Sequence, residues 1–387
     1  MRRITITAMT VVAAAVMFAA PAPAQVSLTL PLINLPDDEK PHAGSPVEEW
    51  RLCGVLQDDE GKRYGVSAEY VIARRGGMPP AHFIFYSLTE KAAGKFHGVA
   101  LMDKAGAELA AEDSAAPRPE MFDANERENS RVLMKKEPVA ISESLGLMFD
   151  GNYFVNEKSP GRDWEDWRYS ARLAGEGFEV ELEMKPERGP LFMGGAGSAG
   201  LNPDENFLMY SFPRMTAKGE LRIGGEARRA RGALWYDHKY GAAGAAGKNA
   251  GWEWFRVQME DGTDMNLFVA HRPDTGERFH RMATIKWADG RVSVARDIVL
   301  EPLNTWTSPD TGIVYPLDWA VAIPSLRAHL TIRQDMPYHE TKAFGPARGG
   351  TWAGFGRAEA VIDGERLSGD VFTELAGYGA WLGGASP

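Results

Sequence analysis

The feature that most restricts the fold of this chain is the recurrence of short alternating apolar–polar runs joined by tight turns. "EWRLCGVLQDDEGKRYGVSAEYVIA" gives two such runs around Asp58–Gly61, and "AHFIFYSLTEKAAGKFHGVALMD" repeats the pattern around Ala93 and Gly94. "DWRYSARLAGEGFEVELEMKPER" turns at Gly175–Gly177, "MEDGTDM" and "KWADGRV" carry Asp-Gly between runs, and the last pair turns at Asp363-Gly364. A period of two sends successive side chains to opposite faces of a strand, and Asp-Gly fits the left-handed hairpin turn. The 42 Gly and 24 Pro suit many turns. No long helix-period segment and no solenoid repeat interrupts this, so the chain is predicted to be all-β, in two parts, with sheets that close and hide their edges. Residues 108–129 are acidic and carry two prolines, and are expected to form a loop. "PERGPLFMGGAGSAGLNPDENF" breaks the alternation and suits either a loop over a pocket mouth or a plain surface loop. Composition places the break between the two parts somewhere from Arg214 to Tyr240.

Bulk properties exclude several function classes. The 387 residues are 44% hydrophobic and 25% charged, as in an ordinary soluble globular protein. The formal charge of -10 and pI near 5.4 argue against a nucleic-acid partner, which needs a basic face. Arg2 and Arg3, an apolar run to Ala20 and the Ala22-Pro23-Ala24 end have the form of a secretory signal over residues 1–24. Cleavage before Gln25 would remove two positive charges, taking -10 to -12, and would leave no stable membrane insertion. The alternative is an uncleaved anchor, for which the apolar run is short. Residues 25–48 are expected to be an extended lead-in. The single cysteine, Cys53, forbids an internal disulfide and suits a buried small apolar position in a strand. The localisation expected is periplasmic or secreted.

Eleven tryptophans are many for one chain, and three of them, Trp235, Trp252 and Trp254, fall within "ALWYDHKYGAAGAAGKNAGWEWFRVQMEDG", residues 233–262. In extended strands Trp235, Asp237 and Lys239 share one face, and Tyr236, His238 and Tyr240 the other. Trp252, Trp254, Arg256 and Gln258 likewise lie opposite Glu253, Phe255 and Val257. If the two strands pair across the glycine-rich loop, one face gathers rings around a titratable group. The rings also suit core packing, Asp237 a turn anchor, His238 a structural hydrogen bond, and Arg256 a counter-charge to Glu253. His82 and His97 are weaker site candidates. His271, His280, His329 and His339 lack metal-ligand spacing, so no zinc site is expected. No G-x-S-x-G elbow occurs, and "GGAGSAG" lacks the lysine of a phosphate-binding loop.

The ordered stretches "EEWRLCGVLQDDEGKRYG", "AHFIFYSLTEKAAGKFHG", "ELRIGGEARRARGALWYDHKYG", "WEWFRVQMEDGTDMNLF", "WTSPDTGIVYPLDWAVAIP" and "AEAVIDGERLSGDVFTELAGY" cover nearly the whole mature chain. In this order they resemble the secreted AttH-like proteins and the related hydroxyneurosporene synthases, which are carotenoid hydratases. The resemblance implies two lipocalin-like antiparallel β-barrels packed together, here residues 49–225 and 226–387. It also implies an apolar ligand, isoprenoid- or lipid-like, held in a barrel or between the two. The chain departs from the family at Arg51 and Tyr240, where tryptophan is common. Adding water to an unactivated alkene requires a dry, protonated acid and ring faces to stabilise a cation. The expected catalytic residues are Asp237, His238 and Glu253, and the expected ligand-binding residues Trp235, Tyr236, Tyr240, Trp252, Trp254 and Arg256. No cofactor and no metal are expected; the partner is a hydrophobic small molecule, and the oligomeric state is left open. A non-catalytic carrier of the same ligand, or a stress-tolerance binding protein, is the alternative.

Overall fold

Strand follows strand through almost all of the computed structural model, which describes residues 31–113, 133–157, 163–242, 250–341 and 350–379. The expected signal peptide, most of the glycine-rich loop and much of the 108–129 loop lie outside these residues. The first half contributes β1 (Val47–Asp58), β2 (Arg63–Ala73), β3 (Ala81–Glu90), β4 (Lys95–Met102), β5 (Val139–Ala140), β6 (Gly146–Phe149), β7 (Asn152–Asn156), β8 (Tyr169–Gly175), β9 (Phe178–Pro186), β10 (Leu191–Phe192), β11 (Phe207–Ile223) and β12 (Glu226–Gly241). The second half contributes β13 (Gly251–Met259), β14 (Asp264–His271), β15 (Arg278–Lys286), β16 (Val292–Ala295), β17 (Val299–Pro302), β18 (Thr305–Thr307), β19 (Val314–Pro316), β20 (Trp319–Ile323), β21 (Ala328–Gln334), β22 (Glu340–Thr341), β23 (Thr351–Ile362) and β24 (Glu365–Ala376). Among the described residues one α-helix, α1 (Lys104–Asp113), packs on β3 and β4 and runs into the segment from residue 108 that the sequence suggested was loop.

The strands form two curled antiparallel sheets, as the two-barrel expectation requires. One runs β4-β3-β2-β1-β12-β11-β9-β8-β7-β6-β5, with β10 beside β11. The other runs β16-β15-β14-β13-β24-β23-β21-β20-β17, with β22 beside β23, and β18-β19 form a separate ribbon. In each sheet the first strand of the unit pairs with its last, β1 with β12 and β13 with β24. That pairing curls the sheet and covers two long edges that would otherwise be exposed. The predicted hairpins all form: β1–β2, β3–β4, β8–β9, β13–β14, β15–β16 and β23–β24.

Two expectations are corrected. The division at 225/226 falls in the turn between β11 and β12, but β12 belongs wholly to the first sheet, so the boundary between sheets follows Gly241. The strands on either side of the glycine-rich loop do not pair with each other. β12 lies between β1 and β11, whereas β13 lies between β14 and β24.

Each barrel has its own core, with Trp50, Tyr70, Phe154, Trp167, Tyr210 and Tyr236 in the first and Phe255, Tyr315, Trp319, Ile332 and Trp352 in the second. Each large side chain taken fully from water stabilises the fold by about 1.5–3 kcal/mol. A third apolar layer joins the outer faces of the barrels, with Phe207, Trp254 and Phe268 in one patch and Cys53, Trp235, Phe355 and Phe372 in another. Strands at this seam are buried on both faces, which is why residues 234–240 and all of β14 are buried. Gly65 is required there: a Cβ at this position would lie 2.3 Å from the Phe355 ring.

Candidate functional site

Alternation sends the β12 side chains in two directions, and the register that opposes Trp50 to His238 and Arg51 to Asp237 carries β1 with them. Trp235, Asp237 and Lys239 face the seam, where they meet Trp252, Trp254 and Arg256 of β13. The face groupings read from the sequence therefore hold, and the rings do gather around charges, by face-to-face packing of two sheets. Asp237 accepts hydrogen bonds from Ser211 Oγ at 2.6 Å, from Trp235 Nε1 and from Arg256 Nε. Arg256 and Arg51 each lie 3.2 Å from Glu374, Arg51 also reaches Glu69 at 2.6 Å, and Trp252 Nε1 donates to Glu374 at 3.0 Å. Lys239 pairs with Glu49 at 2.5 Å and lies within 5.7 Å of the Phe207, Trp252 and Trp254 ring centroids. Burial works against ionisation of Glu374, but Arg51 and Arg256 outweigh it and hold its carboxyl below the usual range. Burial pushes Glu69 up to about 7 against the pull of Arg51.

This seam is packed. Beside Cys53, Trp235, Arg256 and Phe372 the free space is about 10 Å³, room for about one water. A cleft lined by Arg51, Ser67, Glu69 and Thr351 holds about 70 Å³. Among the described residues no ring-walled hollow opens at this position, because tryptophan, arginine and carboxylate side chains fill it.

The other face of β12 looks into the first barrel, and here the chemistry differs. His238 is fully buried; its ring stacks on Trp50 with centroids 4.8 Å apart and meets the edge of Tyr210 at 5.6 Å. Its Nε2 lies 2.9 Å from Glu48 Oε1, and His42 Nδ1 approaches the same oxygen at 2.8 Å. Tyr240 stacks on His42 at 3.8 Å. Burial keeps His238 neutral by lowering its pKa. For Glu48 the penalty of burial is outweighed by the hydrogen bonds to His238 and His42, which hold it down at about 2.

Beside this group is a carboxyl of the opposite character. The 3-10 turn Asp37–Glu39, in the segment expected to be an extended lead-in, tucks Glu39 fully into the barrel. Tyr169 Oη donates to Glu39 Oε1 at 2.7 Å and Tyr210 Oη donates to Oε2, with Tyr236 Oη 3.5 Å from Tyr210 Oη. Burial pushes Glu39 up to about 8, more than Tyr169 and its neighbours pull it down. Phe154, Tyr169 and Tyr236 pack ring against ring around it, with centroids 5.1–5.7 Å apart. Trp50 Nε1, Tyr70 Oη and His238 Nδ1 are buried here without a hydrogen-bond partner among the described residues. A neutral acid, a neutral imidazole with a free nitrogen and a wall of ring faces thus share one interior.

Glu253 points into the second barrel. Tyr378 Oη donates to it at 2.9 Å, and Arg278 and His271 lie at 3.3 and 3.4 Å. Burial alone would raise its pKa, but His271 and Arg278 outweigh it and keep the carboxylate ionised. The expected catalytic trio therefore occupies three compartments: Asp237 in the seam, His238 in the first barrel and Glu253 in the second. His82 and His97 each bond a neighbouring carboxylate, Asp103 at 2.7 Å and Glu90 at 2.9 Å. An outward-facing trough of about 700 Å³ on the second sheet, between Val299, Ala320, His329, Glu359 and Arg366, gathers no buried acid.

Sequence reasoning missed Glu39, His42 and Glu48. Glu48 carried a signal, since it shares a face with Trp50, Leu52 and Leu56, all of them core residues. Glu39 carried none, because "PDDEK" has the composition of a solvated turn.

Comparison with known proteins follows the same lines. The AttH-like family pattern matches residues 28–378. A protein of Nitrosomonas europaea provisionally called AttH has a solved structure that superposes with a TM-score of 0.72 at 21% identity, covering 92% of this chain and 99% of that one. Kievitone hydratase from Nectria haematococca superposes with a TM-score of 0.68 at 15% identity, covering 93% and 99%. The dehydratase asqC of Emericella nidulans is 28% identical over 155 residues, 37% of this chain and only 42% of that relative's length. The chain belongs to the AttH-like family.

Proposed function

We propose that this member of the AttH-like family is a hydratase or dehydratase acting on an apolar, isoprenoid- or lipid-like molecule inside the first barrel. The observation that carries the reading is Glu39, an acid held neutral by burial among tyrosines with no cation beside it among the described residues. The hydratase and dehydratase among the chain's relatives support it. In the hydration direction the Glu39 carboxyl gives its proton to one alkene carbon, and positive charge develops on the other. The faces of Tyr169, Tyr236 and Phe154 stabilise that charge. A water adds to the cation and loses a proton to His238 Nδ1, whose tautomer Glu48 fixes by accepting from Nε2–H. Dehydration is the reverse. The chemistry needs no cofactor, and Asp237 and Glu253, both paired with cations, take no part in it. Export fits the same reading, with residues 1–24 as a cleaved signal and the mature protein periplasmic or secreted.

A carrier function is the second reading. The unpartnered Trp50 Nε1, Tyr70 Oη and His238 Nδ1 would be satisfied by any ligand with a polar end, whether or not it reacts. Incubation of purified protein with acyclic isoprenoid alkenes, followed by mass spectrometry, separates the two. A product heavier by one water, lost in Glu39→Gln while ligand binding persists, supports the hydratase. Binding without product in the wild type, unchanged in Glu39→Gln, supports the carrier.

A further inference from the structure

We infer that His42, Glu48 and His238 form a binding site for one divalent transition-metal ion. Each offers one ligand atom, and the three atoms lie within 4.8 Å of one another. His42 Nδ1 and His238 Nε2 converge on Glu48 Oε1 from 2.8 and 2.9 Å. Around a tetrahedral ion with metal–ligand bonds of about 2.0–2.2 Å, neighbouring donors stand roughly 3.3 Å apart. The two His–Glu48 distances therefore need to open by only a few tenths of an ångström, with the two imidazole nitrogens, which lie within 4.8 Å of one another, brought to the same spacing. Two imidazoles with one carboxylate suit zinc, cobalt(II) or iron(II), not magnesium or calcium, which favour oxygen.

The surroundings are those of a built site. The three ligands come from the loop before β1, from β1 itself and from its partner strand β12, so the sheet fixes two of them. Behind His42, Asp38 Oδ1 lies 3.1 Å from Nε2, the carboxylate–histidine arrangement that orients a ligating imidazole. The Tyr240 and Trp50 rings hold the planes of His42 and His238. Glu48 and His238 are fully buried, while the His42 side chain is 24% exposed and gives the ion a way in. Arg74 is the neighbouring cation, 3.6 Å from the other Glu48 oxygen. The Glu253–His271 pair in the second barrel differs in that, among the described residues, it brings one imidazole rather than two to its carboxylate, at 3.4 Å.

Occupancy would change the barrel's chemistry. Without the ion, Nε2–H of His238 donates to Glu48 and Nδ1 is an acceptor. With Nε2 on the ion, the proton moves to Nδ1, which becomes a donor. The ion would then remove the proposed base and suppress hydration. This consequence rests on the hydratase reading; the site itself does not.

The test uses chelator-treated full-length protein titrated with cobalt(II), followed by visible absorption, and with zinc, followed by calorimetry. One ion per chain is expected. Binding should weaken roughly tenfold or more in His42→Ala and in Glu48→Gln, and about tenfold in Asp38→Asn, with His329→Ala as an unaffected control. The His42→Ala change is near the surface, and its circular dichroism and melting point show whether the fold is kept. Absence of stoichiometric binding, or binding equal in the wild type and both ligand variants, overturns the site. Activity in the metal-free protein is measured separately, so loss of the hydratase reading leaves this result intact.

Discussion

The seam between the barrels and the interior of the first barrel both bury several charged or titratable groups a few ångströms apart, yet they solve the problem in opposite ways. In the seam every carboxylate meets a cation: Asp237 with Arg256, Glu374 with Arg51 and Arg256, Glu49 with Lys239. In the barrel Glu39 meets tyrosines and Asn156 but, among the described residues, no cation, and polar atoms of Trp50, Tyr70 and His238 have no hydrogen-bond partner there. Matched charge fixes geometry and leaves little to react. An acid kept neutral by desolvation has a proton to give. The rings of residues 235–254 drew attention to the seam, but the chemistry favours the other side of the same strand.

The sharpest way to break this comparison is to remove one partner from each region. Asp237→Ala leaves Arg256 short of a buried partner and is expected to cost about 3–5 kcal/mol of stability, measured by urea unfolding. Glu39→Gln keeps the shape and the hydrogen-bonding capacity, and is expected to leave the unfolding midpoint near the wild type below about pH 4.5, where both side chains are neutral in either state. Its hydration rate is expected to fall by roughly 10²–10⁴-fold, the usual contribution of a positioned acid. An Asp237→Ala protein as stable as the wild type would show that the seam is not held by its charges.

The pH dependence of stability sharpens the contrast, because the two carboxyls carry opposite signs. Glu39 is raised from 4.5 to about 8, so the folded state binds its proton more tightly than the unfolded chain. Its contribution is full below about pH 4.5 and is lost as pH rises toward about 8. Glu374 is lowered, so its contribution is present above pH 4.5 and lost as pH falls below that value. Unfolding free energies measured across pH should lose the neutral-side decline in Glu39→Gln and the acid-side decline in Glu374→Gln.

The smallest effect is expected from Tyr169→Phe. Removing that hydroxyl takes away a hydrogen bond that lowers the Glu39 pKa, so the upper pH limit of activity should move higher. Stability should change by about 1 kcal/mol. A pH–rate profile that does not move would mean that Glu39 is not the group titrating in it.

Much of this was legible in the chain. The alternation and the Asp-Gly turns determined the hairpins, and with them which residues share a face. The grouping of Trp235 with Asp237 and of Tyr236 with His238 follows from the period of two alone, as does the inward parity of Glu48 with Trp50. Sequence separation hid the rest. Glu39 lies 130 residues before the Tyr169 hydroxyl it bonds, and nothing local distinguishes it from a solvated turn acid. The glycine-rich loop suggested a hairpin between β12 and β13, but a loop can equally carry the chain from one sheet to the next.

The sequence by itself determined an all-β chain of hairpins with two differently composed faces per strand, because side-chain alternation and turn conformation are local. Only the tertiary structure decided which face met the other barrel and which closed around Glu39. Burial, the physical cause of the shifted acid, depends on residues far apart in the chain, Glu39 before β1, Tyr169 on β8, Tyr210 on β11 and Tyr236 on β12.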